Sequence, residues 1–507
     1  MKLLQLTFAT LLLASFSLIA QTQPEHEKGC GISIKSDWLV KYQHGEIPPA
    51  RKSLMTQYIP VRMVVVGEND GNGYIDPTQL LQSFQLLNED FASTNIQFYV
   101  SDYDFLDLSS LYDHSTTSIG SSLASNRRES NKINTFVVGT AGGACGYATP
   151  RTNYLVMDKD CMGRIDRTWA HEMGHVFTLA HTFYGWESVE EISNIELTER
   201  APSTLSYRGR NVPVERTDGS NCEDAADGFC DTAPDYLMER WACNIAGEYR
   251  DSLTDPDSIR FAVPAQNIMS YASDACVNTF SEEQKTAMIT NMSTRSDFSS
   301  NSSGEGAVAA NGEDMNLLLP EHNVTLPYNN FVELVWNETP NADFYIVQMN
   351  RSNNFNGNIL FTRVVTDTSV VFDEGLLDNT RYYWRVRPFN AYQVESDFGD
   401  QVFRFRNGDF PVNTIDAALN AAITIAPNPV AGGQDLRIIG QDLGLSSNLT
   451  YDLIDASGRV LLTRENLPVA AAGFNERIET GTLPAGVYFL RLRMNEKLVT
   501  KRVVITP

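Results

Sequence analysis

From residue 171 the chain reads His171-Glu172-Met173-Gly174-His175-Val176-Phe177-Thr178-Leu179-Ala180-His181. His171 and His175 are four residues apart, so on a helix both imidazoles lie on one face and can reach one metal ion. Glu172 points elsewhere and can act as a general base on a water at the metal. This HExxH arrangement provides two zinc ligands and a base. His181 can supply the third protein ligand, provided that the helix ends near Thr178 and the chain turns back.

The alternative is a core helix in which two histidines fall at this spacing by chance. Only seven histidines occur in 507 residues, however, and three of them lie within this one run. The glutamate also occupies the position that the motif requires. The pattern therefore favours a catalytic zinc site.

The composition sets further limits. A chain of 507 residues is too long for one core and predicts about three domains, and a hydrophobic content of 42% indicates that they are globular. A formal net charge of -24 without a basic tract argues against nucleic acid and anionic membranes as partners.

The N-terminus has the pattern of an exported protein. Residues 1–20 contain Lys2, a short apolar run and a small residue at Ala20, which predicts a signal peptide. No other segment approaches the roughly 20 apolar residues that a membrane-spanning helix needs. Export permits disulfides.

Cysteine provides a second indication of organisation. The chain has seven cysteines, so one of them should be left over, and the six others could pair in 15 ways. The cysteines are Cys30, Cys145, Cys161, Cys222, Cys230, Cys243 and Cys276.

The outlier, Cys30, lies in residues 21–57, a polar stretch that we interpret as a pro-segment or linker. Its thiolate could occupy the open zinc position and keep an enzyme latent; alternatively it is a spare or intermolecularly paired cysteine.

Residues 58 to about 295 mix strand and helix patterns. Val61–Val66, Ile96–Val100 and Ile133–Val138 are predicted strands, Pro77 to Ala92 is a predicted amphipathic helix, and Asp70–Gly73 is predicted as a tight turn rather than a calcium loop. The expected fold is α/β (α+β), with the zinc helix packed under a twisted sheet. An exposed strand near the cleft could bind an extended peptide.

The section after His181 is rich in loops. Asp227, Asp231 and Thr232 offer clustered oxygen ligands for a calcium ion, and a capped turn explains them equally well. Further on, Met269 precedes a turn, and the segment Ser281–Gln284 fits a capping box that opens a closing helix.

With these motifs in view, residues 58–295 resemble the pappalysin-like metzincins. The matching segments are 171–175, 181–183, 227–232 and 267–271, followed by Asp274 and Cys276. The resemblance implies that His171, His175 and His181 bind zinc, that Glu172 is the general base and acid, that Tyr271 donates to the tetrahedral intermediate, and that Met269 forms the methionine turn. For Tyr271, a core aromatic is the alternative.

The resemblance also implies disulfides Cys222–Cys243 and Cys230–Cys276, which leaves Cys145 for Cys161. Asp274 would lie near the pocket for the residue after the scissile bond and favour Arg or Lys there, unless it is a solvated surface aspartate. The same preference predicts self-processing before Arg51 or Lys52. One position departs from the pattern: metzincins have glycine where this chain has Thr178, which puts the turn geometry in question.

The C-terminal half predicts two all-β modules. Residues 296–312 are predicted to be a flexible linker. Residues 313–407 have strand patterns that resemble a fibronectin type III domain, and residues 423–507 resemble the C-terminal sorting domain of type IX secretion substrates, which implies the secretion machinery as a partner.

The sequence thus predicts a secreted zinc endopeptidase, made as a latent precursor, that acts on proteins or peptides. It binds zinc at the three histidines, and the oxygen cluster is either a calcium site or a capped turn. The alternative is a surface adhesin whose metal fold has lost activity. The intact Glu172 argues against the adhesin, because a binding protein needs no base beside the zinc.

Overall fold

The computed structural model describes residues 35–50, 55–187, 199–326, 331–355, 359–373, 375–408, 417–441, 443, 447–455, 459–494 and 497–506. The predicted signal peptide, Cys30, Arg51 and Lys52 lie outside these ranges, so predictions about them stay predictions.

The first domain is built on a five-stranded sheet in the order β2-β1-β3-β5-β4. The strands are β1 (Gln57–Gly67), β2 (Ile96–Asp107), β3 (Ile133–Val138), β4 (Gly146–Ala148) and β5 (Tyr154–Asp158). Strands β1, β2, β3 and β5 pair in parallel, and the edge strand β4 pairs antiparallel with β5. Every residue of β3 and β5 is buried, as expected for apolar strands covered on both faces. The three predicted strands are confirmed.

Among the described residues, the longer helices of this domain are α1 (Asp37–Gln43), α2 (Pro77–Phe91), α3 (Thr117–Ser125), α4 (Thr168–Val176) and α5 (Glu282–Ser293). Helices α2, α3 and α4 contact the sheet. Helix α2 begins at Pro77 because the Asp76 side chain accepts a hydrogen bond from the Thr78 N–H, and its Phe84 ring lies 5.6 Å from that of Trp169 on α4. Helix α5 begins with the predicted capping box of Ser281 and Gln284. The mixed α/β architecture is therefore present, with α4 packed against the sheet.

The remaining elements of this domain are short. They comprise the helix Ser109–Tyr112, the 3-10 turns Ala92–Thr94 and Lys159–Cys161, and the paired strands Asp113–His114 with Thr140–Ala141, Thr204–Tyr207 with Arg210–Pro213, and Leu253–Thr254 with Arg260–Phe261.

Part of the predicted pro-segment is folded onto this domain. Helix α1 lies within residues 21–57, and its Leu39 is fully buried in the domain's apolar core. The polar composition concealed this helix because it contributes only one fully buried side chain.

The disulfide pairing implied by the resemblance is wrong in two of three bridges. Cys145 pairs with Cys161 as expected, but Cys222 pairs with Cys230 and Cys243 with Cys276. A tight loop brings the Cα atoms of Cys222 and Cys230 to 5.0 Å, well within bridging distance. A backbone pairing of Trp241 with Ala272 brings Cys243 beside Cys276.

The predicted flexible linker is packed along part of its length. Phe298 pairs with Asn131 and Asn301 with Tyr58 through backbone bridges, and Phe298 is buried. Gly304 lies so close to the Tyr58 and Tyr392 rings that a Cβ atom there would be 2.4 Å from each. Residues 298–304 therefore form an ordered connection rather than a free one.

The next module is a pair of facing sheets. One contains Leu317–Leu319, Val332–Trp336 and Ser369–Phe372, and the other contains Val324–Thr325, Phe344–Asn350, Phe361–Val365, Arg381–Phe389 and Phe403–Arg406. Trp336 and Trp384 are buried between them. The module contacts the first domain where the Val100 N–H donates to the Ala391 carbonyl and the rings of Tyr99 and Tyr392 stack at 4.6 Å.

The last module is also a sandwich, preceded by the helix Ala417–Ala422. Its sheets contain Ile423–Ala426, Asp435–Gln441 and Gly473–Glu479, and Val430–Ala431, Ser447–Asp455, Val460–Val469, Gly486–Met494 and Lys497–Thr506. Among the described residues, no helix has the length and apolar character needed to cross a bilayer.

Candidate metal centre

The three histidines of the opening motif converge in the interior of the first domain. His171 and His175 project from α4, and His181 follows five residues after that helix ends. The three side chains are at most 7% exposed. The Nε2 atom of His181 lies 3.1 Å from Nε2 of His171 and 3.1 Å from Nε2 of His175.

The opposite nitrogen of each ring has its own partner. Nδ1 of His171 donates to the Ile268 carbonyl at 2.7 Å, and Nδ1 of His175 donates to the Leu179 carbonyl at 2.8 Å. Nδ1 of His181 lies 3.0 Å from a Glu187 carboxylate oxygen. These bonds place the proton on Nδ1 and leave the Nε2 lone pairs directed at a common point, as in protein zinc sites.

This geometry fits a zinc ion. Tetrahedral zinc with Zn–N bonds of about 2.0–2.1 Å holds its nitrogens roughly 3.3 Å apart, close to the spacing seen here. Burial lowers the pKa of His171 well below its ordinary range and that of His175 to about 3, so both rings are neutral and can ligate. Among the residues that the structure describes, this is the one group of three or more His, Cys, Asp or Glu side chains close enough to share a metal.

The turn after α4 brings His181 back to the helix. The Thr178 N–H donates to the His175 carbonyl and the Leu179 N–H to the Gly174 carbonyl, which is the Schellman pattern of helix ends. Thr178 has φ 86°, the left-handed conformation that glycine usually supplies at this point. The departure from the metzincin pattern therefore leaves the turn intact, with a β-branched residue in a costly conformation.

Glu172 lies between α4 and the edge strand β4. It is fully buried, and a Cβ atom added to Gly146 would approach Glu172 Cγ to 2.8 Å. Glu172 lines the same cleft as His171 and Tyr271. The absence of a side chain at Gly146 thus makes room for the carboxylate beside the metal centre.

Met269 lies against α4, which carries His171 and His175. It is fully buried, and a Cβ atom on Gly174 would be 2.5 Å from its sulfur. The Thr182 N–H donates to the Met269 carbonyl at 3.2 Å, and the preceding residue, Ile268, holds His171. The turn therefore supports two of the three histidines.

Tyr271 lies on the open side of the histidine cluster. Its ring centroid is 5.0 Å from that of His181 and 5.8 Å from that of His171. It is partly buried, packs against the apolar core of the domain and also lines the cleft.

Asp274 also lines this cleft, but its carboxylate is already bonded. One oxygen accepts from the Arg167 N–H at 3.0 Å, and the other pairs with the Arg240 guanidinium at 2.5 Å. Asp274 is therefore not a solvated surface residue, and a basic side chain entering the cleft would meet Arg240 beside it.

The carboxylates of the predicted oxygen cluster accept hydrogen bonds from different parts of the domain. Asp227 is fully buried and accepts from the Phe229 N–H and the Thr232 hydroxyl, while Asp231 accepts from the Glu283 N–H at the start of α5. Burial raises the pKa of Asp227 to about 7. Both carboxylates act as caps in this structure, and calcium binding stays a prediction.

Two residues that support the centre were missed by the sequence reasoning. Glu187 holds the His181 ring and also accepts from the Gly185 N–H. Asp235, which is buried, accepts from the hydroxyls of Thr182 and Ser270 and so ties the third-ligand segment to the methionine turn. Both lie in loops, where no periodic pattern marks them.

Comparisons with known proteins agree with parts of this description. Residues 424–506 match the family described as the secretion system C-terminal sorting domain. The chain is 23% identical over 248 residues to an extracellular metalloprotease of Colletotrichum graminicola. The aligned region covers 45% of this chain and 72% of that protein. The sorting domain and the extracellular relative together identify a secreted or cell-surface protein.

Similar solved structures have low overall scores. A Fn3-like protein from Clostridium thermocellum is 20% identical, with a TM-score of 0.15, over 20% of this chain and 96% of that one. The fn3 domain of the human collagen alpha-1(XX) chain is 16% identical, with a TM-score of 0.14, over 20% of this chain and 85% of that one.

Proposed function

We propose that the protein is a secreted zinc endopeptidase of the metzincin type. The observation that carries the proposal is the convergence of three buried histidine Nε2 atoms, each ring oriented through Nδ1, next to a cleft that His171 and Glu172 line. The extracellular metalloprotease relative supports the same reaction class.

In this proposal His171, His175 and His181 hold the ion. When bound there, zinc would supply Lewis acidity, which would polarise the scissile carbonyl and lower the pKa of a water to about 7. The Glu172 carboxylate takes the proton from the attacking water and passes it to the leaving amine. Tyr271, at the cleft's open side, donates its hydroxyl proton in a hydrogen bond to the oxygen that gains charge.

The substrate would lie along the edge strand β4. Among the described strands, β4 pairs with β5 alone, and its first residue, Gly146, lies against Glu172. An extended peptide can add to such an edge through main-chain hydrogen bonds, which places its carbonyl near the base whatever its sequence. Specificity then depends on side-chain pockets.

Metal removal tests the proposal. A chelator-treated chain should cleave a denatured protein at less than about a hundredth of the untreated rate, since both carbonyl polarisation and water activation are lost. Adding about one equivalent of zinc should restore cleavage, measured by gel and by peptide release. Cleavage that survives complete removal of metal would contradict the proposal.

The second candidate remains an adhesin with an inactive metal fold, in which the sandwich of residues 313–407 binds a partner. It predicts zinc binding without cleavage. The buried position of Glu172 beside the histidines favours the protease, because burying a carboxylate costs free energy that a purely structural site has no reason to incur.

We further propose that Asp274 favours substrates with Arg or Lys after the scissile bond. Arg240, which is paired with Asp274, weakens this preference. Replacing Asp274 with Asn should reduce the preference for basic residues about tenfold or more, because a charged hydrogen bond is lost. Arg240→Gln should change the preference in the opposite direction, because it frees the carboxylate for the substrate. The measurement is kcat/KM for matched peptides with Lys or Leu at that position.

A matched control is Asp251→Asn, which neutralises an aspartate paired with Arg250 on the exposed surface. It should leave the ratio of the two kcat/KM values unchanged. An unchanged ratio in Asp274→Asn, or the same direction of change in both cleft variants, would contradict the assignment.

Latency through Cys30 and self-processing before Arg51 or Lys52 complete the proposal. The sorting domain implies contact with secretion machinery and has no part in catalysis. N-terminal sequencing of the active form checks the processing sites.

A further inference from the structure

We infer that Ser36 is a positioning residue for the metal centre of the uncut precursor and that residues 35–50 belong structurally to the metal-binding unit of that form. The inference rests on the proposed function, since it concerns the same three histidines. It arises from the one position at which the motif departs from its expected pattern, Thr178.

The Ser36 hydroxyl lies 2.5 Å from the Thr178 hydroxyl, inside the domain. Ser36 also caps α1, because its oxygen accepts from the Leu39 N–H. Thr178 is fully buried and left-handed. At this turn Thr178 stands where the metzincin pattern has glycine. The hydrogen-bond partner of its hydroxyl is the Ser36 hydroxyl, 142 residues away in sequence.

The turn at Thr178 controls two ligands at once. The residue after it, Leu179, provides the carbonyl that holds the His175 ring, and His181 follows two residues later. A relaxation of Thr178 toward an ordinary conformation would change the direction of both segments. The Ser36 bond opposes this relaxation, and so acts on the ligands through the backbone.

The segment that carries Ser36 is anchored at both ends. The Gln43 side chain donates to the Asp227 carbonyl at 2.7 Å, and the Ala50 N–H donates to the Thr290 hydroxyl on α5 at 3.0 Å. The Lys35 ammonium lies 3.5 Å from the Ala226 carbonyl. Leu39 is buried in the core that also contains residues of the zinc helix.

None of residues 35–50 lines the cleft that contains Glu172 and Tyr271. Ser36 contacts the turn that follows the C-terminal end of α4, and the described part of the segment lies outside the cleft. This position is expected for a support of the metal centre rather than for an inhibitor.

A double-mutant cycle in the full-length chain tests the inference, with Glu172→Gln in every variant so that the chain cannot cut itself. Ser36→Ala and Thr178→Val should each weaken zinc binding about tenfold, as loss of an outer-shell partner does. The double variant should be no weaker than either single variant, because both remove the same bond. The zinc affinity is measured by chelator competition.

Thr178→Gly provides the second arm. Glycine adopts the left-handed conformation without a Cβ penalty, so this variant should bind zinc about as tightly as the parent. Adding Ser36→Ala in this background should change the affinity by less than about twofold. A full tenfold loss there would overturn the inference.

A control separates the loss of a helix cap from the loss of the turn contact. Thr116→Ala removes the N-cap of α3, whose residues contribute no zinc ligand, and should lower the melting temperature without changing zinc affinity. An equal loss of zinc affinity in Thr116→Ala, or unchanged affinity in Ser36→Ala, would overturn the inference. A parent chain that binds no zinc would instead refute the proposed function itself.

Discussion

Replacing Glu172 with Gln should lower kcat/KM for a protein substrate about a thousandfold, while the chain keeps its zinc. The amide has nearly the same shape but cannot take a proton from water. Because the three histidines have their Nδ1 partners elsewhere, at Ile268, Leu179 and Glu187, the metal centre should remain assembled. The measurement combines steady-state kinetics with metal analysis of the same preparation.

Zinc content is the control in this experiment, because it separates lost chemistry from lost metal. If the Gln variant cleaves at the parent rate with zinc bound, Glu172 is not the base. Loss of zinc together with activity would instead assign the carboxylate to metal binding.

Replacing His181 with Ala should weaken zinc binding far beyond the roughly 10- to 100-fold that loss of an outer-shell partner costs, and cleavage should fall below detection. Two histidines on one helix leave the ion with too few protein ligands for a stable site. Chelator competition measures the affinity, and circular dichroism checks that the fold persists.

Glu187→Ala is the matched comparison, since it leaves the His181 ring in place but removes its Nδ1 partner. It should weaken zinc binding by about 10- to 100-fold, less than His181→Ala. If His181→Ala keeps the parent affinity, or if Glu187→Ala is the more damaging variant, the third ligand has been assigned wrongly.

The local part of the site could be predicted from the sequence because helical periodicity places His171 and His175 on one face and Glu172 beside them. His181 follows within a few residues, so a single turn of the backbone is enough to bring its ring back to the other two histidines. The strands Val61–Val66 and Ile133–Val138 were also predicted, because apolar β-branched runs of this length fit a buried parallel sheet.

The long-range contacts could not be predicted in this way. Glu187, Asp235 and Ser36 act from loops or from a helix boundary, where partners are set by how the chain folds back. The disulfides show the same limit: Cys222 pairs with the nearby Cys230 and not with Cys243, because backbone pairing brings Cys243 to Cys276.

The linker interpretation of residues 21–57 is wrong over residues 35–50 for a related reason, while the pro-segment interpretation stays a prediction. A polar stretch with little periodicity indicates a linker when hydrophobic content alone is considered. Here Leu39 supplies the buried contact, and Ser36 and Gln43 bond to groups far along the chain. Such hydrogen bonds leave no pattern in composition.

The most direct measurement is a map, by mass spectrometry, of the cuts made in one denatured protein by the zinc-loaded chain and by its Glu172→Gln variant, each with and without chelator. We expect cuts by the unaltered chain alone, abolished by chelator and concentrated before Arg and Lys. Cuts that appear equally with the Gln variant, or that persist in chelator, would contradict the proposed zinc endopeptidase activity.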